Sequence, residues 1–273
     1  MIELPSAPTI WVPGSRRVSR IFPVPSGSAY QPEKHLFDVG GFSPKSISNL
    51  VLWLRADLGT NTTTGGAAVT SWADQSGNGN NAAQGTAANQ PTYVTNSANG
   101  RPGVHFDGVN DFMAGAVGGA VTREPFSIYA ISKMTAGQAN QQGGIVDVTT
   151  VGGLTNTGDL LIQNSTNRDY RYASALDLQY ALSSTAAVMN VTTVRITGVG
   201  AEEKELFEKS VSKGTQAVAS VQGLVLTQYR VGRLFQDVFP FNGDVLEVAC
   251  YSKQLSTTEI AQLTTYATGL YAV

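Results

Sequence analysis

The chain is 273 residues long, only 14% of its residues are charged, and its formal net charge is −2. Because its 18 basic and 20 acidic residues are spread along the sequence, no strong field steers it toward nucleic acid or an anionic membrane, and neither partner is expected. Its single cysteine, Cys250, excludes an internal disulfide and any zinc site built from three or four thiolates.

The first residues differ in composition from the rest of the chain. We predict an extended arm over residues 1–45 followed by one domain over residues 46–273. Seven of the eleven prolines lie in the arm: Pro5, Pro8, Pro13, Pro23, Pro25, Pro32 and Pro44. Proline blocks helices and interrupts sheet ladders. The arm is also rich in apolar residues, for which a solvated linker has no use, so we expect it to pack on neighbouring subunits. A disordered leader is the alternative. The expected assembly residues are Trp11, Arg16, Arg17, Phe22, Tyr30 and Phe37.

Neither a membrane span nor a secretion signal is visible in the sequence. No stretch approaches the roughly 18 apolar residues of a transmembrane helix. The opening residues, Met1 to Pro8, lack both the cationic start and the apolar core of a signal peptide. We therefore expect a protein that is assembled in the cytoplasm without export by that route, and without membrane insertion.

From Leu50 onward the sequence is typical of short strands separated by turns. Apolar and β-branched runs alternate with clusters of Gly and Asn, such as residues 77–81, which mark chain reversals. The predicted strands are Leu50–Arg55, Tyr93–Val94, Gly103–Phe106, Phe126–Lys133, Gly144–Val148, Asp159–Gln163, Val188–Thr197, Thr215–Val221, Tyr229–Gly232 and Gly243–Tyr251. Their number and spacing predict an all-β protein, an antiparallel β-sandwich of two packed sheets.

Three segments carry more specific predictions. Val188–Thr197 has apolar residues on both faces, which predicts a strand covered from both sides. Residues 201–214 are rich in Glu and Lys, which favour a helix, but the segments on both sides are predicted strands. We interpret residues 201–214 as a charged hairpin at a sheet edge. Ser256 and Glu259 have the spacing of a capping box. Apolar residues at helical spacing follow, so we expect one C-terminal helix of about 12 to 14 residues against the sandwich.

Three stretches carry a family resemblance. They are "LVLWLRADLG" with "VTSWADQSGNGNNAAQ", then "QPTYVTNSANGRPGVHFDGVNDFM", and finally "YRVGRLFQDVFPFNGDVLEVACYSKQLSTTEIAQLTTYATGLY". Together they resemble the concanavalin A-like lectin/glucanase superfamily, in particular the laminin G-like domains found in bacteriophage and bacterial surface proteins. The resemblance covers residues 47–113 and 229–271 well and the middle of the chain weakly. It implies a jelly-roll sandwich.

The residues that enzymes of this superfamily use are missing from the sequence. The glucanase branch places Glu-x-Asp-x-Glu on one strand, and no such spacing occurs here. The two histidines, His35 and His105, have no nucleophile-elbow motif near them, and His105 is expected to be an ordinary sheet residue. Cys250 lies in an apolar run typical of a small buried residue. We therefore predict a protein that is not an enzyme.

Polar residues on two predicted turns are the candidates for binding. Asp74 and Asn78 lie on the first turn, and Asp107, Asn110 and Asp111 on the second. Laminin G-like domains can hold Ca²⁺ through such oxygens, so the resemblance makes Asp74, Asp107 and Asp111 candidate metal ligands, although no cofactor is required. Trp72 and Tyr93 are candidate stacking platforms for a glycan. The alternatives are that the polar residues cap their own turns and that the aromatic residues belong to the core.

Two functions follow as hypotheses. The first is a structural virion protein of a bacteriophage, on the capsid or the tail, anchored by its arm to other virion proteins, forming a homo-oligomer and presenting a surface for a host glycan. The second is a free carbohydrate-binding module or adhesin. An enzyme ranks third.

Overall fold

A computed structural model of the chain describes residues 41–135, 143–150, 159–163, 167–172, 176–181, 189–196, 203–217, 224–235 and 239–273. The assembly residues predicted in the arm, from Trp11 to Phe37, lie outside the described residues. The predicted strand end at residues 218–221 also lies outside them.

The described chain folds into sixteen strands and one α-helix. In chain order they are β1 (Leu50–Arg55), β2 (Ser71–Trp72), β3 (Ala82–Ala83), β4 (Thr92–Ala98), β5 (Arg101–Asp107), β6 (Met113–Thr122), β7 (Phe126–Met134), β8 (Gly143–Thr149), β9 (Asp159–Gln163), β10 (Asn167–Tyr172), β11 (Leu176–Ala181), β12 (Met189–Ile196), β13 (Glu203–Glu208), β14 (Val211–Ala217), β15 (Val225–Val231), β16 (Asn242–Tyr251) and α1 (Thr257–Tyr271). The prediction of a mainly β protein with one C-terminal helix is confirmed.

The strands form two antiparallel eight-stranded sheets. Sheet I runs in the order β14-β13-β12-β7-β16-β5-β4, and sheet II in the order β11-β10-β9-β8-β15-β6-β3-β2. Strand β1 joins sheet I on the same side of β16 as β5, because β5 pairs with residues 242–245 and β1 with residues 247–251. A register shift between Val245 and Glu247 separates the two halves of β16.

The core between the sheets is built from alternate residues of their strands, as a period of two requires. Val104 and Phe106 of β5 face Tyr229 and Val231 of β15 in one buried apolar cluster. Strand β6 was not predicted, because its Gly and Ala residues have low strand propensity. A Cβ on Gly115 of β6 would lie 2.6 Å from the Tyr229 ring, so the small residue makes room for the core.

A second apolar cluster covers the outer face of sheet I. Helix α1 places one apolar stripe on that face, and Ile260, Leu263 and Leu270 are among its buried residues. The predicted capping box is confirmed, since Glu259 N donates to Ser256 Oγ at 3.2 Å and Ser256 N donates to the Glu259 carboxylate at 2.8 Å. The segment before β1 packs there as well, because the Tyr251 hydroxyl donates to the carbonyl of buried Pro44 at 3.2 Å.

The two other specific predictions are also confirmed. Strand β12 is buried along most of both faces, in agreement with its two-sided apolar pattern. Strands β13 and β14 form the expected hairpin, with β14 at the edge of sheet I. Its charges are less exposed than expected, because Lys204 and Glu208 are buried.

Candidate binding rim

The turn that contains Asp74 is closed by its own polar side chains. The Asp74 carboxylate accepts hydrogen bonds from the backbone N–H groups of Trp53, Ser76 and Asn80 at 2.9 to 3.0 Å, and from the Ser76 hydroxyl at 2.6 Å. Asn78 donates its side-chain amide to the carbonyls of Leu50 and Val51. These contacts use the carboxylate for turn closure, which is the alternative role that the sequence left open.

Trp72 and Tyr93 lie in the interior. The Trp72 side chain is 0% exposed and its indole N–H donates to the Arg55 carbonyl at 3.0 Å, while Tyr93 is 4% exposed. Both rings are therefore covered by protein. This corrects the prediction that either ring offers a stacking platform, and the reason is that both rings pack in the main apolar core.

The second predicted turn, residues 107–111, connects β5 of sheet I to β6 of sheet II. Asp107 Oδ1 accepts the N–H of Val109 at 2.8 Å and that of Asn110 at 3.2 Å, and Asp111 Oδ2 accepts the N–H of Asp107 at 3.1 Å. Burial, together with the nearby Asp107 carboxylate, raises the pKa of Asp111. Asp107 itself is exposed, and the Asn110 side-chain amide donates to Asn89 Oδ1 at 3.1 Å.

The candidate metal ligands do not form one cluster in the described part of the chain. Asp107 and Asp111 share a turn, whereas Asp74 closes a different one. Within those residues, no group of three or more His, Cys, Asp or Glu side chains could hold a metal ion. Calcium binding stays a prediction, because the described residues contain no such group of side chains arranged to bind the ion.

An arginine that the sequence analysis did not single out lies directly beside the 107–111 turn. The Arg230 guanidinium on β15 lies over the Phe112 ring, 4.4 Å from its centroid, and over the Phe235 ring, 4.6 Å from its centroid. Its Nη1 donates to the Leu234 carbonyl at 3.2 Å. Two aromatic contacts and one hydrogen bond hold this planar group of donors in one orientation at the outer face of sheet II.

We call the group Asp107, Asn110, Phe112, Arg230 and Phe235 the binding rim. Its members come from the turn that joins the sheets, from β15 and from the turn after β15. All five are exposed or partly exposed. The sequence contained one signal for Arg230: in the run Tyr229-Arg230-Val231 an arginine occupies the outward position between two core residues.

A second polar cluster lies on the part of sheet I that α1 leaves uncovered. Asp244 of β16 lies opposite His105 of β5 on one side and Lys133 of β7 on the other. His105 Nδ1 is 2.7 Å from Asp244 Oδ1, and the Ser97 hydroxyl donates to Asp244 Oδ2 at 2.6 Å. A Cβ on Gly103 would lie 2.9 Å from the Ser97 Cβ, so glycine permits the approach of Ser97 across β5.

This cluster has the residue types of a catalytic triad in a different order. The Ser97 hydroxyl donates to the Asp244 carboxylate rather than to the imidazole, so His105 is not placed to accept its proton. The hydrogen bond to Asp244 raises the pKa of His105 despite its partial burial. Burial opposes ionisation of Asp244, but hydrogen bonds from His105 and Ser97 lower its pKa. The geometry is that of a His–Asp pair whose carboxylate also accepts a hydrogen bond from a serine hydroxyl.

A buried carboxylate joins α1 to sheet I. Glu247 is 0% exposed and accepts hydrogen bonds from the Trp53 indole N–H at 2.7 Å and from the Tyr271 hydroxyl at 2.8 Å. Burial raises the pKa of Glu247 to about 7, although the Arg55 guanidinium opposes the shift. Because helix and strand cover this group completely, it serves the packing of α1 rather than a surface site.

Comparisons with known proteins show similarity of fold alone. No family profile matches the sequence, and no curated protein matches it. Among solved structures, the chain is similar to the botulinum neurotoxin type G receptor binding domain, with TM-score 0.57 and 9% identity over 80% of this chain and 51% of that one. It is also similar to the botulinum neurotoxin serotype D ligand binding domain in complex with N-acetylneuraminic acid, with TM-score 0.60 and 13% identity over 82% of this chain and 52% of that one.

A third similar structure is the sialidase of Trypanosoma rangeli in complex with sialic acid, with TM-score 0.57 and 14% identity over 82% of this chain and 34% of that one. The chain thus spans about half the length of the neurotoxin domains that it matches. Since these structures include both binding domains and an enzyme, the shared β architecture does not decide between binding and catalysis. That decision rests on the site.

Among the described residues, no helix has both the length and the apolar character needed to cross a bilayer.

Proposed function

We propose that the chain is a non-enzymatic carbohydrate-binding β-sandwich and that it binds glycan at the binding rim. The observation that carries the proposal is the Arg230 guanidinium held over Phe112 and Phe235 beside the exposed 107–111 turn. Binding sites for small polar ligands combine apolar or aromatic surface with a few fixed hydrogen-bonding groups, and a sugar offers hydroxyls to such groups and C–H faces to such rings.

Two further observations support this proposal. Asp107 and Asn110 add a carboxylate and an amide on the turn that leads into Phe112, and both are polar groups suited to sugar hydroxyls. Two of the similar structures were solved with N-acetylneuraminic acid or sialic acid bound, so acidic glycans are the first ligands to examine.

The test is a glycan array with sialylated and neutral oligosaccharides, probed with the wild-type chain and two variants. Arg230→Ala is expected to abolish saturable binding. Arg195→Ala is the matched control, because Arg195 also lies over a phenylalanine ring, that of Phe207 at 5.0 Å, but on sheet I. The control should bind as the wild type does. Wild-type binding that Arg230→Ala leaves unchanged would exclude the binding rim.

For the setting, we propose the coat or tail of a bacteriophage particle, with the residues 1–45 as an anchor on other virion proteins and a homo-oligomeric arrangement. The proline-rich, apolar composition of the arm and the resemblance to concanavalin A-like, laminin G-like phage domains support it. Electron microscopy of particles labelled through this chain tests the proposal. A full-length chain that stays monomeric with a protease-sensitive arm, alone and with the other particle proteins, would favour a free adhesin instead.

A further inference from the structure

We propose that Asp147 is a positioning residue for the binding rim: its ionised carboxylate holds Phe235 over Arg230, and protonation loosens that arrangement. The consequence for ligand binding rests on the proposed function, whereas the positioning itself does not.

Several direct contacts connect Asp147, Arg230 and the turn that contains Phe235. Asp147 of β8 lies directly opposite Arg230 of β15 in the sheet register. Asp147 Oδ2 accepts the backbone N–H of Phe235 at 2.9 Å. The Phe235 ring lies against the Arg230 guanidinium. The guanidinium in turn donates a hydrogen bond to the Leu234 carbonyl, which belongs to the same turn as Phe235. One carboxylate thus fixes both the backbone of the turn and, through the ring, the orientation of the arginine.

Close packing keeps this turn over β8. Gly232 has a φ of +88°, and a Cβ there would lie 2.1 Å from the Phe106 ring. A Cβ on Gly144 of β8 would lie 2.1 Å from the Leu234 side chain. Gly144 lets Leu234 lie directly on β8, and Gly232 lets the chain pass close to Phe106 of the core. Asp147 is buried although it faces away from the core. A carboxylate covered in this way depends on the contacts that the turn supplies.

The charges around Asp147 define the direction of the effect. Arg230 on β15 attracts the ionised form, and the turn adds the Phe235 N–H. On its other side, β9 places Leu160 opposite Asp147. Residues 236–238 lie outside the described chain. Burial outweighs the favourable contacts and raises the pKa of Asp147 to about 6. The carboxylate is therefore ionised above pH 6, and it loses its charge as the pH falls through that value.

The first experiment is an NMR titration of the free, full-length chain between pH 4.5 and 8. The Phe235 amide shift and the Asp147 carboxyl carbon shift are expected to follow one transition with the same midpoint near pH 6. In Asp147→Asn the Phe235 transition should disappear. Glu247→Gln is the matched control: it removes a different buried acid whose pKa lies in this range, under α1, and should leave Phe235 titrating. A wild-type Phe235 amide that does not follow the Asp147 carboxyl would overturn the positioning role, even if the variant fails to fold.

The second experiment measures calorimetric affinity for sialyllactose and lactose at pH 5 and pH 7.5. We expect binding of the wild type to be about fivefold weaker at pH 5, because protonation weakens one hydrogen bond without removing its acceptor oxygen, and binding of Asp147→Asn to vary less. Equal wild-type affinity at both pH values would refute the link to binding. If neither sugar binds while Phe235 still titrates with Asp147, the proposed function fails and the positioning role stands.

Discussion

At the scale of single residues, the polar side chains of this molecule are used mainly to hold backbone and aromatic groups in place. Asp74 closes a turn, Asp244 joins His105 to Ser97, and Glu247 binds an indole and a tyrosine hydroxyl from two different elements. A buried carboxylate that accepts several donors tolerates removal of its charge better than removal of its oxygens, because the donors would otherwise remain unsatisfied.

Glu247 makes the stability of the protein dependent on pH in a defined direction. Its pKa is about 7 in the folded chain against an ordinary value of 4.5. A raised carboxyl pKa contributes stability that is fully present below the ordinary value and is lost as the pH rises through the folded value. The Glu247 contribution should thus fall by about 3 kcal/mol between pH 4.5 and pH 7 and change little above that.

The variant Glu247→Gln tests this dependence. Glutamine keeps an oxygen for the Trp53 indole N–H but carries no charge. We expect its free energy of unfolding, from urea titrations at pH 5 and pH 8, to change less with pH than that of the wild type, by about 2 to 3 kcal/mol. Asp147 titrates in both proteins, so its effect cancels in the comparison. Parallel pH profiles for the two proteins would contradict the buried ionisable group.

At the scale of elements, α1 is a structural cover for sheet I. Its apolar stripe lies in the second core cluster together with Trp53 and Tyr129 of the sheet. The opposite side of the helix carries exposed small and polar residues, among them Gln262. A helix of this length has little stability in water without such packing. Helix and sheet face should therefore form and unfold together.

Truncation of the helix stripe measures this coupling. Leu263→Ala removes a fully buried side chain and should lower the free energy of unfolding by about 2 to 5 kcal/mol, through lost burial and the cavity that remains. Gln262→Ala, one residue earlier on the exposed side, should change it by less than about 0.5 kcal/mol. Thermal unfolding monitored by circular dichroism provides both values. Similar small effects at both positions would mean that α1 is not packed as described.

At the scale of the whole molecule, the two sheets share one core. Phe106 of β5 is fully buried, and its ring occupies the space that a side chain at position 232, after β15, would need. The same two strands lead into the binding rim, one through the 107–111 turn and the other through Arg230. Packing between the sheets therefore also positions the proposed site.

Removal of the Phe106 ring should weaken both sheets at once. Phe106→Ala is expected to cost about 3 to 5 kcal/mol, and the unfolding transition should stay single because the core is shared. Urea titrations followed by tryptophan fluorescence and by circular dichroism should give coincident midpoints, since Trp53 lies in sheet I and Trp72 in sheet II. Separate transitions for the two signals would show that the sheets unfold independently.

The sequence by itself determined the β-sandwich class, the position of most strands, the two-sided burial of β12, the edge hairpin and the capped terminal helix. Each of these depends on local pattern: alternation at period two, turn residues at reversals, and a Ser-x-x-Glu cap before a helical stripe. Strand β6 was missed because the close approach of the Tyr229 ring requires small residues there, and Tyr229 is more than a hundred positions away in the sequence.

Only the tertiary structure decided the candidate site. Asp74, Trp72 and Tyr93 had the right chemistry in the sequence, but turn closure and core packing use them. Phe112 lies more than a hundred positions before Arg230 and Phe235, and Asp147 becomes buried only when the turn after β15 folds over β8. Which side chains are exposed, and which of them come together in space, depends on contacts between segments far apart in the chain. Strands and helices can be predicted because their patterns depend on neighbouring residues.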